Sequence, residues 1–257
     1  MNRRQAILVT LAAGILLLAG GGRATAAEPI RIGDLFSYAR IAAFADPYRN
    51  GWQLALEEIN GAGGIDGRPL EVVSRDDGGT TADAVRVAEE LVTREQVSLL
   101  FGTYFSNIGL AVADFARQRQ VLFVAAEPLT DALTMDKGNR YTFRIRPNTY
   151  MQTAMLVDAA ADLGATRWAI VAPNYEYGQA AAANFKQLLA EKMPGTEVVA
   201  EQYPARGKVD AGATVQALLQ ANPDGIFNVL FAGDLAKFVR EGQVRGLQRM
   251  IDEDKYC

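Results

Sequence analysis

The sequence predicts an α/β fold in which helices cover both faces of parallel β-sheets. From residue 30 onward, short apolar runs alternate with amphipathic stretches of helical length. The apolar runs contain no alternating polar residues, which is typical of parallel strands buried on both faces. Strands that alternate with helices of this length form βαβ units. The order of elements breaks at Arg146, Pro147 and Asn148 and then restarts. Because proline interrupts strand pairing, this break predicts two lobes, at residues 28–146 and 147–240.

The first half of the chain opens with a largely apolar segment at 30–36, which predicts a buried strand. A helix is predicted at 46–60, where Trp52 and Ile59 share one apolar face. The glycine-rich segment 61–67 predicts a helix stop and a turn, because glycine adopts left-handed conformations. It lacks the Lys-Ser/Thr end of a phosphate-binding loop and the spacing of a dinucleotide-binding motif. The later elements of this half are strands at 70–73, 97–101 and 121–125 and helices at 81–95 and 106–119.

The same alternation continues through the second half of the chain. The predicted strands lie at 141–145, 168–172, 198–203 and 226–231. The predicted helices lie at 150–163, 178–192 and 211–220, with a last one from 234 onward.

Composition excludes several classes of function. The chain has 257 residues, 26 Lys plus Arg, 30 Asp plus Glu, a net charge of −4 and no histidine. Without imidazole there is no Ser-His-Asp triad, no histidine base and no metal site that needs histidine. The single cysteine, Cys257, allows no intrachain disulfide. We therefore expect no metal, no cofactor and no nucleic-acid partner, and a binding protein rather than an enzyme.

Residues 1–27 have the pattern of a secretory signal peptide. Arg3 and Arg4 precede an apolar stretch, and small residues follow it. The alternative is a membrane anchor, but the apolar stretch is shorter than the ~20 residues that span a bilayer. No cysteine stands directly after this stretch, so no lipid anchor is expected at the cleavage site. We expect cleavage after Ala26 or Ala27 and a mature chain in the periplasm.

Seven short motifs occur one after another along the chain. They are LALEEIN at 54–60, GGIDGRPL at 63–70, DD at 76–77, FG at 101–102, YTFR at 141–144, EYGQ at 176–179 and PD at 223–224. Through these motifs and their order, the chain resembles the extracytoplasmic binding proteins of branched-chain amino acid ABC transporters. Each motif alone is weakly specific, whereas seven in order behind a signal peptide are specific.

The resemblance implies the type I periplasmic binding protein fold, in which two Rossmann-like lobes joined by three crossing strands close on a ligand. It also implies that the ligand is handed unchanged to a membrane permease driven by a separate ATPase. Two alternatives stay open. One is a ligand-sensing receptor ectodomain of the same fold, which would need a membrane span after the domain. The other is a truncated fragment without function.

The resemblance points to ligand-binding residues at the ends of strands, where helix N-termini attract carboxylates. Ser106 matches the family serine that binds the ligand carboxylate, and its alternative role is that of a helix N-cap. Tyr104 can face the ligand or the core. Tyr177 matches the family tyrosine that reaches the ligand from the second lobe, and its alternative is a packed tyrosine at a helix start.

Two segments depart from the family pattern. Glu127 stands where the family has small residues, and Thr130 matches the family threonine only with a shift of one residue. Glu127 is expected either to bind a ligand cation or donor, or to be a solvated loop carboxylate. In the first loop, Tyr38 can stack on a ring and Arg40 can pair with an acid group, unless this is a variable surface loop. The aromatic bias favours a carboxylated ligand larger than valine or leucine.

The carboxyl-terminal segment 241–257 resembles the first helix of the copper- and formaldehyde-sensing repressor family. There the residue at the position of Cys257 is a metal or reactive ligand. That family needs further helices with His and Cys, and the binding-protein family continues well beyond this length. We therefore expect a binding-protein fragment whose C-terminal part is missing, joined to a foreign end. The alternatives are an ordinary last helix and, from the tail alone, a metal-responsive repressor.

Overall fold

The computed structural model describes residues 28–247. The predicted signal peptide at 1–27 and the end of the predicted tail at 248–257, with Cys257, lie outside the described residues. Within the described range, no helix is both long enough and apolar enough to cross a membrane.

The first lobe is a five-stranded parallel sheet in the order β2-β1-β3-β4-β5. Its strands are β1 (Ile30–Phe36), β2 (Leu70–Asp76), β3 (Leu99–Gly102), β4 (Leu122–Ala125) and β5 (Thr142–Arg144). Its helices are α1 (Ala42–Gly61), α2 (Thr81–Thr93) and α3 (Ser106–Arg119), with a short 3-10 turn at Asp131–Leu133. The predicted parallel pairing is confirmed, because the ladder between β1 and β2 runs from Ile30 and Leu70 to Phe36 and Asp76.

The second lobe is a three-stranded parallel sheet in the order β7-β6-β8. Its strands are β6 (Arg167–Val171), β7 (Glu197–Gln202) and β8 (Gly225–Asn228). Its helices are α4 (Thr149–Ala161), α5 (Glu176–Lys192), α6 (Ala211–Ala221) and α7 (Ala232–Val244). Residues 145–148 connect β5 of the first sheet to α4 of the second lobe.

Helix α1 differs from its prediction in both start and burial. It begins at Ala42, although Pro47 favours a start near residue 46. Only Ala45 is fully buried in it, and Leu54 is 58% exposed. The buried core of the first lobe lies on the opposite face of the sheet, where α2 and α3 pack through residues such as Leu91 and Ile108.

The second lobe has a core on each face of its sheet. Ile170 and Phe185 belong to the core under α4 and α5, and Phe227 stacks on Phe185 at 4.1 Å between ring centroids. The other core contains Phe238 of α7 and Leu247. Helix α7 therefore continues through residue 240, and Leu247 packs into the binding-protein fold. The division at residue 240 between the second lobe and a foreign tail stays a prediction.

Gly178, near the start of α5, is a position where we expect alanine to destabilise the fold. An added Cβ atom would lie 2.0 Å from the backbone oxygen of Pro173, so the backbone would have to shift. We expect Gly178→Ala to lower the free energy of unfolding by about 1–3 kcal/mol. Gly51→Ala is the matched control in α1, where no atom of residues 28–247 lies within 4 Å of an added Cβ atom. We expect it to raise the free energy of unfolding by about 0.5–1 kcal/mol. Urea unfolding measures both, and a Gly178→Ala chain as stable as the wild type would contradict this packing.

Candidate ligand-binding cleft

Three helices begin at the boundary between the lobes, and each follows an aromatic residue. Phe105, Tyr175 and Phe231 are the N-cap residues of α3, α5 and α7, and none of these helix starts is capped by a side-chain hydrogen bond. The Phe105 and Tyr175 rings are 6.0 Å apart, and the Tyr175 and Phe231 rings 6.4 Å apart. We call these three rings the aromatic partition. The first-turn N–H groups of uncapped helices attract anions.

A cavity of about 160 Å³ opens between the lobes on one side of this partition. Its walls come from both lobes and are mostly aromatic. We call it the aromatic cavity, and it is lined by Phe44, Tyr104, Ser106, Glu127, Leu129, Arg146, Tyr175, Tyr177 and Phe231. Four of the six predicted ligand-binding residues thus come together here, namely Tyr104, Ser106, Glu127 and Tyr177.

Ser106 is the first residue of α3 and is 2% exposed. Its hydroxyl oxygen accepts hydrogen bonds from the backbone N–H groups of Leu129 and Thr130, both at 3.2 Å. The alternative role as a helix N-cap is therefore wrong, because Phe105 holds that position and the serine bonds to another loop. A hydroxyl has two acceptor lone pairs and one proton. With both lone pairs engaged, the proton is left to donate to a ligand.

The close packing of the end of β3 against β1 positions Ser106. Gly102 ends β3 with a φ of +113°, and a Cβ atom there would lie 2.4 Å from the backbone oxygen of Leu35. Thr103 follows with a φ of +61°, which is uncommon for a residue with a side chain. The turn that leads into Ser106 is therefore held tightly against β1, and glycine is required at its first position.

Glu127 forms an ion pair with Arg146, and both residues line the aromatic cavity. Glu127 is partly exposed, and its predicted role as a ligand-binding residue stays a prediction. The sequence pattern places Arg146 only at the break between the lobes and does not mark it as a site residue. Its position directly after a strand end, at the passage between the lobes, is the signal that could have marked it as a cleft residue.

The tyrosines of the cavity are hydrogen-bond donors at neutral pH. Burial, and then the nearby carboxylate of Glu127, raises the pKa of Tyr104 to about 12. Burial also raises the pKa of Tyr177. The Tyr177 ring packs 6.2 Å from that of Phe231, and Tyr104 lies 5.4 Å from Phe44. Each tyrosine therefore offers an aromatic wall with a protonated hydroxyl group.

The other two predicted residues lie elsewhere. Thr130 is fully buried, and its hydroxyl donates to Glu176 at 2.8 Å, so it links the first lobe to the start of α5. Tyr38 donates to Asp34 at 2.5 Å, and the guanidinium of Arg49 lies 3.9 Å from its ring. Neither residue lines the aromatic cavity. Among residues 28–247, no group of three or more His, Cys, Asp or Glu side chains is placed to hold a metal ion.

Comparison with known proteins identifies the family. The family described as periplasmic binding protein matches residues 31–252. The chain belongs to the periplasmic binding protein family. A curated relative, the Leu/Ile/Val-binding protein homolog 7 of Brucella suis, is 26% identical over 249 residues. The match covers 93% of this chain and 61% of the relative. The chain thus spans about three fifths of the length of this relative.

Solved structures of two binding proteins share the fold. An R. palustris ABC transporter solute-binding protein in complex with 4-hydroxybenzoate is 25% identical, with a TM-score of 0.77 over 86% of this chain and 59% of that protein. The branched-chain amino acid transporter substrate-binding protein of Streptococcus pneumoniae, in complex with isoleucine, is 28% identical, with a TM-score of 0.73. That match covers 85% of this chain and 61% of that protein.

These matches confirm the predicted type I periplasmic binding protein fold and the resemblance to branched-chain amino acid binding proteins. The relatives are named as binding proteins and not as enzymes. The resemblance of 241–257 to a repressor family is not addressed by them and stays a prediction. The family match nevertheless extends to residue 252, through part of that segment.

Proposed function

We propose that this chain is the binding component of an ABC transporter and takes up a small carboxylate outside the cytoplasm. The ligand is an amino acid or a related one-ring acid, and a membrane permease receives it. The observation that carries this proposal is the aromatic cavity, whose walls combine hydroxyl donors and aromatic rings from both lobes with the guanidinium of Arg146.

The chemistry of the walls fits a carboxylate at one end of the cavity. Ser106 has a free hydroxyl proton beside the uncapped start of α3, and Arg146 brings a guanidinium. Donors of this kind bind a carboxylate through charge-assisted hydrogen bonds. The ion pair of Arg146 with Glu127 also suits a zwitterion, because the arginine can face the carboxylate and Glu127 the ammonium group.

The size and aromatic character of the cavity favour a ring. Its volume of about 160 Å³ is below the range of about 300–1,000 Å³ that is typical of sites for drug-sized ligands. Aromatic side chains pack against a flat ring through offset or edge contacts. The relatives bound to 4-hydroxybenzoate and to isoleucine span the two ligand types that we consider. We expect the one-ring acid to bind more tightly than isoleucine.

The Glu127→Gln variant tests whether the cavity binds an amino acid or an acid that has no ammonium group. We expect the variant to bind phenylalanine about ten- to a hundredfold more weakly, because a charge-assisted hydrogen bond is lost. The affinity for 4-hydroxybenzoate should stay the same or rise, because Arg146 loses a competing carboxylate. Calorimetric titration with phenylalanine, isoleucine and 4-hydroxybenzoate measures this.

The matched control for this test is Glu57→Gln, an exposed carboxylate on α1. It should leave every affinity unchanged. If the wild-type chain binds no member of this panel, the proposed ligand class is wrong. If Glu127→Gln and Glu57→Gln behave alike for all three compounds, Glu127 is not part of the site.

A further inference from the structure

A second cavity, of about 520 Å³, lies between the lobes on the other side of the aromatic partition. Phe105 and Phe231 belong to its walls, and Phe231 also lines the aromatic cavity. Unlike the first, this cavity is lined by three cations, Arg40, Arg206 and Lys237. We call it the basic cavity.

The three cations come from separate elements. Arg40 follows β1 in the first lobe, Arg206 lies between β7 and α6, and Lys237 is in the second turn of α7. None of them forms an ion pair with another residue of the described range 28–247. Three like charges around one space raise the local potential for an anion.

Among residues 28–247, Asp234 is the one carboxylate that lines this cavity, and backbone N–H groups donate hydrogen bonds to it. It is buried, and it accepts hydrogen bonds from the N–H groups of Gly207 at 2.6 Å and Val209 at 3.4 Å. These bonds hold the loop of Arg206 against the start of α7, which carries Lys237. Asp234 is therefore a positioning residue for the two cations of the second lobe.

Both arginines are held in place before any anion binds. The guanidinium of Arg206 lies 3.7 Å from the Phe105 ring and 5.1 Å from the Tyr175 ring. Stacking covers one face of the guanidinium and leaves its N–H edge available for a planar or tetrahedral oxyanion. Arg40 donates to the backbone oxygen of Gly78 at 3.3 Å and lies against Gly79, where a Cβ atom would be 2.6 Å from its Cγ.

We propose that the basic cavity is an anion-binding subsite of the cleft, which takes a carboxylate, phosphate or sulfate group. The group comes either from a free anion or from the far end of an elongated ligand seated in the aromatic cavity. The second source rests on the proposed function, and the first does not. An anion here contacts Arg40 of the first lobe and Arg206 and Lys237 of the second, so it stabilises the approach of the two lobes at this cavity.

Titration of the full chain with inorganic phosphate tests this subsite. We expect binding of one phosphate per chain, weakened at least tenfold in Arg206→Gln and in Lys237→Gln. The matched controls are Lys208→Gln in the same loop and Arg240→Gln in the same helix, neither of which lines the cavity. They should leave the affinity unchanged. Lys237 is exposed, so its variant folds even if the loss of stacked Arg206 disturbs the structure.

A competition experiment distinguishes the two sources of the anion. If the subsite takes a free anion, phosphate should stay bound when an elongated aromatic dicarboxylate fills the aromatic cavity, and Arg206→Gln should not weaken binding of that dicarboxylate. If the natural ligand spans both cavities, an elongated aromatic dicarboxylate should displace both phosphate and 4-hydroxybenzoate and lose affinity in Arg206→Gln. Either result supports the subsite and names its source.

The subsite is overturned if phosphate does not bind, or if Lys208→Gln and Arg240→Gln weaken it as much as the cavity variants do. Failure of the proposed function looks different. In that case 4-hydroxybenzoate and the amino acids do not bind, while phosphate binding and its dependence on Arg206 are intact.

Discussion

Replacement of Ser106 by alanine is expected to weaken binding of the carboxylate ligand about ten- to a hundredfold, which corresponds to about 1.5–3 kcal/mol. The hydroxyl proton of Ser106 is the donor that the Leu129 and Thr130 amides leave free, because they occupy its lone pairs. The variant loses this bond to the ligand. Tyr177→Ala should also weaken binding, because it removes an aromatic wall and a donor from the second lobe.

Calorimetric titration with the tightest member of the panel measures both variants, with thermal unfolding to show that each chain is folded. Ser98→Ala, an exposed serine of the same lobe, is the matched control and should bind like the wild type. Unchanged affinity in both Ser106→Ala and Tyr177→Ala would place the ligand outside the aromatic cavity.

Removal of the Asp34 carboxylate is expected to cost about 3–5 kcal/mol of folding free energy. Asp34 lies on β1 and is fully buried. It accepts hydrogen bonds from Tyr38 at 2.5 Å, Tyr48 at 2.7 Å and Ser74 at 2.6 Å. Asp34→Ala leaves three hydroxyl groups without their acceptor. Asp46→Ala, an exposed aspartate on α1, should stay within about 0.5 kcal/mol of the wild type.

The same carboxylate gives stability a specific dependence on pH. Burial raises the pKa of Asp34, although its three hydroxyl partners oppose this. A group whose pKa is higher in the folded chain than in the unfolded chain stabilises the fold. This contribution to the folding free energy is fully present at pH values below the unfolded pKa of about 4. This contribution is lost as the pH rises through the folded pKa. The stability of the wild type should therefore fall with rising pH relative to Asp34→Asn, which does not titrate.

Urea unfolding at several pH values from acid to neutral measures both effects. A loss of less than about 1 kcal/mol in Asp34→Ala would show that its partners find other hydrogen bonds. Parallel pH profiles of the wild type and Asp34→Asn would show that Asp34 does not titrate differently in the folded chain.

The order of elements follows from the sequence because each apolar run buries itself locally. The segments at 30–36 and 226–231 are largely apolar; the first forms β1, and the second forms β8 as far as Asn228. The ends of such strands mark a cleft in any open α/β sheet. Ser106 and Tyr177 follow strand ends by a few residues, so their place beside the cavity could be predicted.

Other features depend on contacts between distant segments and could not be predicted in this way. The ion pair of Glu127 with Arg146 and the stacking of Arg206 on Phe105 join residues whose approach is set by the packing of the lobes. Asp34 interrupts an apolar run, but its acceptor role depends on Tyr48 of α1 and Ser74 of β2. The hydroxyl of Thr130 turns to Glu176 in the other lobe, which no local pattern indicates.

The most direct test of the central claim is a crystal structure of the chain with the panel compound that binds most tightly. We predict the ligand carboxylate at about 3 Å from the hydroxyl oxygen of Ser106 and from the guanidinium of Arg146. The body of the ligand should lie against Tyr104 and Tyr177. A ligand bound outside the aromatic cavity, or with its carboxylate turned away from Ser106, would contradict the account.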